Sequence, residues 1–459
     1  MFKLSKNKNK NIEELRSKKV AVLGAARSGI AVSLLLATSG ASVLLSDIKN
    51  HISLPLPFEN INKYDIEVET GKHSNKILEC DLICISPGIP LTIPILQQAV
   101  AKKIPIVAEI EIAYWFCQGP IIAITGSNGK TTTTTLTGEV LRSIQPEVVV
   151  AGNIGKPFAE YVQHVGAGEW VVLEISSFQV ETIYSFHPQI TVVLNLTPNH
   201  LDRYPDFESY AAAKLNILKN LTERDTVIFN SDDEYLSNKL KHVRSDKLIF
   251  SLKPHNSKGA WWQGEFIMTR INQKVNQMVL KNHTLRGPHN KYNILVAALI
   301  GQLMGVSGEN VRTAIENFPG IEHRLEEVGY INSVLFVNDS KATTVASLSY
   351  ALQSFEKKIV LISGGKDKGG DFSEVIDWIK RKVKAVVVLG ESAEKIESVW
   401  KAVVPVYRAG DLARAVEIAY QQASPGEVVL LSPACSSFDM FEDYEDRGNQ
   451  FKNIVKGLS

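Results

Sequence analysis

The sequence predicts an α/β protein built from several parallel-sheet domains, and three observations carry that reading. Apolar runs of strand length alternate with helix-periodic stretches along the chain, each run ending in a glycine or polar turn. At 459 residues the chain is long enough for two to four domains. Residues 124–135, ITGSNGKTTTTT, set a glycine-bracketed lysine between an apolar run and a helical pattern, the place where α/β sheets bind phosphate.

The first block, 1–108, opens with KKVAVLGAARSGIAVSLLLATSGASVLLSD. This reads as a buried strand, a glycine turn, an apolar-striped helix and a second strand ending in Asp47, the outline of a mononucleotide-binding βαβ unit. The turn Gly24–Gly29 has alanine where the dinucleotide fingerprint has its middle glycine. That glycine lets the backbone approach a pyrophosphate, so an NAD or NADP site is weakened. DLICISPGIP gives a further strand ending at a turn of Ser86, Pro87 and Gly88, on the ligand-binding edge of such a sheet.

The second block, 109–319, carries the phosphate loop, then WVVLEISSFQ and QITVVLNLTPNHLDRY, two buried strands with polar ends. Edge strands, a turn and a helix follow in 272–305. The third block, 320–459, repeats strand and polar turn in VLFVNDSKATT, KIVLISGGKDKGGDF, AVVVLGES and EVVLLSPACSSFD. No repeat of fixed period occurs.

Charged residues are an ordinary 22% and the formal net charge is +1, which argues against a nucleic-acid surface. The basic N-terminus lacks a following apolar signal core, and no stretch suffices to span a bilayer. A soluble cytoplasmic monomer is expected, with Cys80, Cys84, Cys117 and Cys435 as free thiols.

The loop itself, Gly126, Ser127, Asn128 and Gly129, offers backbone N–H groups and a helix N-terminus to an anion. Lys130 can reach outer phosphates and the Thr131 hydroxyl can ligate Mg²⁺. The glycines bracket two residues where the usual phosphate loop brackets four. Glu174 stands at the end of an apolar strand-length run, and His200 follows the next strand beside Asp202 and Arg203. Loop, carboxylate and imidazole at strand ends of one block can converge on a metal–nucleotide pair. Lys214, in an alanine-rich helix, reads from spacing alone as a solvated surface lysine. In the third block His323, Arg324, Asp339, Lys341, Thr343, Lys366 and Lys368 sit on polar or glycine loops suited to anions.

TGSNGKTT, LEISSFQ, AGNIG, NHLDRY, GPHNKYN, HRLE, NDSKATT and SPACSSFDMFEDYEDRGNQF, in that order, resemble the Mur ligases, ATP-dependent enzymes that build the peptide of the peptidoglycan precursor. The C-terminal signature and the 86–88 turn are most similar to those members that add D-glutamate to UDP-N-acetylmuramoyl-L-alanine. The resemblance implies an N-terminal Rossmann-like domain for the UDP sugar, a central ATPase domain, and a mobile C-terminal Rossmann-like domain closing over ATP and the amino acid. It implies uridine-nucleotide contacts at Ser28, Asp47, Ser86 and Gly88, a substrate contact at Asn153, and a phosphate contact at Thr132. It implies two Mg²⁺ ions, one at Thr131 and Glu174 and one at Glu174, His200 and Lys214, with Lys214 carried as a carbamate. Asn290, Asn293, Arg324 and Asp339 match positions around adenine, ribose and γ-phosphate; Lys341, Thr343, Lys368, Ser437 and Tyr444 match positions around the amino acid and transferred phosphate. Other members of the family, folylpolyglutamate-type ligases, a nucleotide-gated switch and, from GAARSG alone, an oxidoreductase are the alternatives.

Overall fold

The structure, a computed structural model, describes residues 2–50, 63–200, 203–281 and 283–458. Among them the strands form three sheets. The first contains β1 (Lys19–Leu23), β2 (Ser42–Asp47), β3 (Ile66–Thr70), β4 (Leu82–Ile85) and β5 (Ile106–Ala108), all parallel, in the order β3-β2-β1-β4-β5. Valine, leucine and isoleucine fill both faces of β1 and β4, as expected where helices cover a parallel sheet on both sides. The strand order reverses between β1 and β4, which opens a crevice at their carboxyl ends. There Gly24 has φ +95°, and a Cβ on it would lie 2.9 Å from the Ser86 Cβ.

The second sheet holds β6 (Ile121–Thr125), β7 (Val149–Gly152), β8 (Val171–Glu174), β9 (Ile190–Val193), β10 (Thr226–Asn230), β11 (Asp246–Ser251), β12 (Gly259–Gln263), β13 (Phe266–Ile271) and β14 (Lys274–Val279). Its order is β14-β13-β12-β11-β10-β9-β6-β8-β7. Strands β6 to β12 pair in parallel with one another, and β13 and β14 continue from β12 as an antiparallel edge. Every residue of β6 and β8 is buried, and the two lie side by side with their carboxyl ends together.

The third sheet has β15 (Glu326–Ile331), β16 (Val334–Asn338), β17 (Ile359–Gly364), β18 (Val383–Leu389), β19 (Val406–Arg408) and β20 (Val428–Leu431), in the order β15-β16-β20-β17-β18-β19. Only β15 runs antiparallel. Packing groups the chain into two compact units, Met1–Leu280 with Tyr292–Ile315, and Lys281–Lys291 with Glu316–Ser459.

In the first unit the helix Glu109–Phe116 fastens the first sheet to the second. Glu111 is fully buried there, and its carboxylate accepts hydrogen bonds from the Trp115 indole, the Ser185 hydroxyl, and the backbone N–H groups of Tyr184, Ser185 and Phe186. A carboxylate can leave water only with such a full set of donors. In the second unit Arg447 does the complementary work: its guanidinium, 2% exposed, donates to the Ser340 hydroxyl and carbonyl and to the carbonyls of Cys435 and Ser436. Gly448 follows because a Cβ there would sit 2.1 Å from His323 Nδ1. The RGNQF segment thus ties the last helix to the NDSK and SPAC loops.

Exchanging Glu111 for glutamine would point an NH₂ group at N–H donors. We expect Glu111→Gln to destabilise the first unit by about 3 kcal/mol, read as a lower urea midpoint, and an unchanged midpoint would contradict this account of the junction.

Candidate active site

The turn between β6 and the helix Lys130–Leu141 is shaped by two glycines. Gly126, at φ +153°, lies against Leu194 and Asn195, and Gly129, at φ +84°, leaves no space for a Cβ, which would fall 2.6 Å from Asn293 Oδ1. The same Asn293 oxygen accepts from the Thr133 hydroxyl at 2.9 Å. Asn195 closes the other side: its Oδ1 accepts from the Asn128 N–H and its Nδ2 donates to the Asn128 carbonyl. Ser127 is buried, with its hydroxyl 3.0 Å from the Thr197 carbonyl and 2.9 Å from the Tyr210 phenol. The Lys130 ammonium curls over the turn and donates to the carbonyls of Gly126 and Ser127 at 3.0 and 3.1 Å. A lysine and a helix N-terminus therefore face one small space, an arrangement that attracts phosphate oxygens. Thr132 is buried and Thr131 half-buried at the start of that helix.

Glu174 ends β8 beside this loop and is 2% exposed. Asn153 Nδ2 donates to its Oε1 at 2.8 Å, while Oε2 is buried with no hydrogen-bond partner. Gly152, at φ +103°, permits the close approach, since a Cβ there would lie 2.3 Å from the Glu174 carbonyl. A buried carboxylate oxygen without a donor is costly unless a cation meets it. Glu174 therefore suits a divalent ion.

Lys214 differs from its sequence reading. It is not a surface residue but is 2% exposed, its Nζ donating to the Thr125 hydroxyl at 3.4 Å and lying 5.2 Å from the centre of the Tyr210 ring. The helix Phe207–Leu215 turns this face inward onto the ends of the central strands, which alanine-rich spacing could not reveal. Burial, reinforced by the Lys130 charge, holds the Lys214 amine well below the usual lysine range, and Glu174 opposes the shift only in part. Lys130, Glu174 and Lys214 are thus within electrostatic reach of one another.

His200 lies on an exposed loop at φ +55°, with its ring against Phe178 (centroids 4.9 Å apart) and 6.2 Å from Tyr210. Asp202 lies outside the described residues. Among the described residues no group of three or more histidine, cysteine, aspartate or glutamate side chains could hold a metal ion. A metal sphere here needs hydroxyl, water or a modified lysine beside Glu174.

In the first sheet, Asp47 ends β2 and accepts the N–H groups of Ala25 and Lys49. Ser86 is buried with its hydroxyl on the Gly24 carbonyl at 3.1 Å; Ser28 is half-buried in the helix after that turn, and Gly88 is exposed with open space around it. These four residues therefore gather at the crevice between β1 and β4.

In the second unit, Asp339 is 5% exposed, accepting from the Ser432 hydroxyl at 2.8 Å and the Leu325 N–H at 3.2 Å. Burial pushes its carboxyl up to about 7, opposed by Ser432 and Arg324. Arg324 has a buried Nε without a partner. Lys341 lies 5.1 Å from the centre of the Tyr444 ring, whose other edge meets His323. Thr343 follows on the same loop, with its N–H on the Lys341 carbonyl, and Ser437 is buried beside the SPAC turn. Lys368 stands exposed on its glycine loop, and Asn290 donates to the Arg286 carbonyl at 2.7 Å.

Sequence reasoning passed over Tyr210, which touches Ser127, Lys214 and His200 together, and over Asn195, which clamps the loop from β9. Their signal was available: both lie in segments flanking residues already singled out, YAAAKL and LNLTPNH.

The chain matches the N-terminal domain of MurD-like Mur ligases over residues 18–108, the Mur ligase middle domain over 124–301, and the Mur ligase glutamate ligase domain over 323–435. It is 42% identical over 462 residues to the UDP-N-acetylmuramoylalanine--D-glutamate ligase of Salinibacter ruber, covering 97% of this chain and 99% of that protein. The enzyme of the same name from Koribacter versatilis is 43% identical over 448 residues, with the same coverage. Among solved structures, the fold is similar to the UDP-N-acetylmuramate-alanine ligase of Thermotoga maritima (TM-score 0.61, 20% identity, 96% of this chain and 100% of that one). It is also similar to the MurF ligase of the same organism in complex with ADP (TM-score 0.62, 16% identity, 98% and 97%).

The buried Asp339 makes stability pH-dependent. Its pKa rises from the ordinary 3.8 to about 7 on folding, so the folded chain keeps a proton that the unfolded chain has released. This contribution is complete below the lower value and is lost as pH rises through the upper one. Asp339→Asn should flatten the fall in Tm between those values, leaving a residual slope from Glu109, which burial also pushes up to about 7; an unaltered slope would contradict the assignment.

Proposed function

Because this chain belongs to the Mur ligase family, we propose that it is an ATP-dependent ligase joining D-glutamate to UDP-N-acetylmuramoyl-L-alanine in the cytoplasmic synthesis of the peptidoglycan precursor. The observation that carries the reading is the buried pair of Glu174 and Lys214 with the half-buried Lys130 beside them, grouped by the carboxyl ends of parallel strands, in a chain similar end to end to D-glutamate ligases. Family membership leaves the oxidoreductase alternative without support, and nothing beyond the phosphate loop favours a nucleotide switch.

The chemistry follows from the weakness of a carboxylate as an acyl donor. Its leaving group would be oxide, so an oxygen of the carboxylate first attacks the γ-phosphorus of ATP and ADP departs. The amine of D-glutamate, having lost its ammonium proton, attacks the acyl carbon, and the tetrahedral intermediate expels phosphate. Both partners of the first step are anions. Lys130, anchored on the loop carbonyls, lies where it can counter the charge on the transferring group. Two Mg²⁺ ions, when bound, would screen the charge shared by phosphates and carboxylate; Thr131 and Glu174 would hold one, and Glu174, His200 and a carbamylated Lys214 the other. The buried, depressed amine of Lys214 is the kind that adds CO₂, its nitrogen attacking the carbon and releasing a proton.

The crevice residues Ser28, Asp47, Ser86 and Gly88 would take the uridine nucleotide, and Asn153, fixed on Glu174, the sugar end. Gly126, Ser127, Asn128, Gly129 and Thr132 would meet the ATP phosphates, with Asn290, Asn293, Arg324 and Asp339 around the rest of the nucleotide. Lys341, Thr343, Lys368, Ser437 and Tyr444 would meet the amino acid. By this reading residues 1–108 serve the UDP sugar, 109–319 ATP and 320–459 the amino acid, in a monomer.

Incubation with ATP, Mg²⁺, UDP-N-acetylmuramoyl-L-alanine and a panel of amino acids tests the proposal by product mass: a D-glutamate adduct with one phosphate released per bond is expected, and an adduct with a different amino acid only, or ATP turnover without any, would overturn it. Lys130→Ala should lower kcat on the order of 10³-fold or more; near-normal turnover would remove Lys130 from the mechanism.

A further inference from the structure

Arg203 lies outside every role assigned above, yet its guanidinium joins the turn after β4 to the helix after β8. Its Nη1 donates to the Pro87 carbonyl and its Nη2 to the Ile89 carbonyl, each at 3.1 Å. Nη2 also pairs with Glu181 Oε2 at 3.2 Å, and the guanidinium carbon lies 4.2 Å from the centre of the Phe178 ring. The other Glu181 oxygen accepts from the Tyr204 hydroxyl, and the Tyr204 ring stacks on Phe178. The side chains of Arg203 and Glu181 are 16% and 13% exposed, so the pair is largely withdrawn from water and is screened less than a surface ion pair.

Phe178 belongs to the short helix Ser177–Val180, and Glu181 caps its end, a few residues beyond Glu174. A second tie leaves the same helix: Gln179 Nε2 donates to Glu109 Oε1 at 2.8 Å, while Gln179 Oε1 accepts from the Ser176 N–H. One small helix thus grips the carboxyl end of β4 through Arg203 and the chain just after β5 through Gln179.

We infer that Arg203 is a positioning residue that locks the 86–89 turn, the lip of the β1–β4 crevice, to the β8 turn bearing Glu174. The inference rests on the proposed reading in which that crevice takes a uridine nucleotide whose distal carboxylate must reach the phosphate loop. The planar fork aims separate N–H groups at two carbonyls and a carboxylate, a spread that the compact lysine ammonium matches only in part. Loss of the clamp frees the turn, and the nucleotide then binds a lip that it must order itself.

The test compares wild type with Arg203→Met and Arg203→Lys by steady-state kinetics, hydrogen exchange and titration with uridine diphosphate in the absence of ATP. Arg203→Met should raise KM for UDP-N-acetylmuramoyl-L-alanine about tenfold, the loss of roughly one charge-assisted hydrogen bond, with KM for ATP changed less than about twofold. Weaker uridine diphosphate binding and faster exchange of the Ile89 amide, which bonds the Ser86 carbonyl at 3.0 Å, should accompany it. Arg203→Lys should recover only part of each effect. Equal shifts in both KM values, or unchanged exchange at 86–89, would overturn the inference. If Arg203→Met fails to fold, Glu181→Gln replaces it, with smaller shifts in the same direction expected and no shift contradictory. Should wild type form no D-glutamate product, the proposed reaction falls, while exchange and uridine diphosphate titration still decide the role of Arg203.

Discussion

The structure depends on the burial of charge at the carboxyl ends of β6 and β8. Glu174 and Lys214 have almost no contact with water, and Lys130 is near enough to weaken the Lys214 ammonium. Such a cluster is expensive in a folded core, and its unpartnered carboxylate oxygen is not satisfied by the protein. The cost makes sense where polyanionic substrates and metal ions complete the electrostatics. Charge placed in advance inside a dry site need not reorganise when negative charge is transferred. Much of the surrounding architecture serves this arrangement. Asn153 and Gly152 hold Glu174, Tyr210 stands over Lys214, and Asn195 and Asn293 fix the phosphate turn from two directions.

The second unit solves a related problem with the opposite sign. Arg447 is a buried cation whose pKa burial draws down to about 10, and backbone carbonyls and Ser340 satisfy its donors. It is thereby spent on holding loops together. Of the groups beside those loops, Asp339 and Tyr444 have raised pKa values and Arg324 has a buried Nε without a partner, while Lys341 lies over the Tyr444 ring. Perturbed groups in a cleft mark function with better odds than satisfied ones. That contrast separates the scaffold from the site.

Much of this was legible in the sequence. Strands such as IIAIT, VVLE and IVLISG are buried on both faces, and continuous apolar runs ending at turns announce them. Glycine positions were informative for the same local reason: Gly24, Gly126 and Gly129 stand where the backbone needs positive φ or a close neighbour. Lys214 was misread because its burial is a tertiary fact. The helix that carries it looks solvated until its inward face is seated on Thr125 and Tyr210. The role of Arg203 was missed for a related reason, since two of its partners are backbone carbonyls more than a hundred residues earlier in the chain. Of the five threonines, Thr133 is committed to Gly129 and Asn293, a structural use that spacing alone could not distinguish from ligand contact.

The central claim is that this buried charge exists so that a carboxylate can accept a phosphoryl group. Isotope transfer tests it most directly: the acyl carboxylate of UDP-N-acetylmuramoyl-L-alanine is labelled with heavy oxygen, and the phosphate released on forming the D-glutamate amide is examined by mass. The account predicts one labelled oxygen per phosphate, carried over from the acyl phosphate. Amide formation with unlabelled phosphate would contradict it.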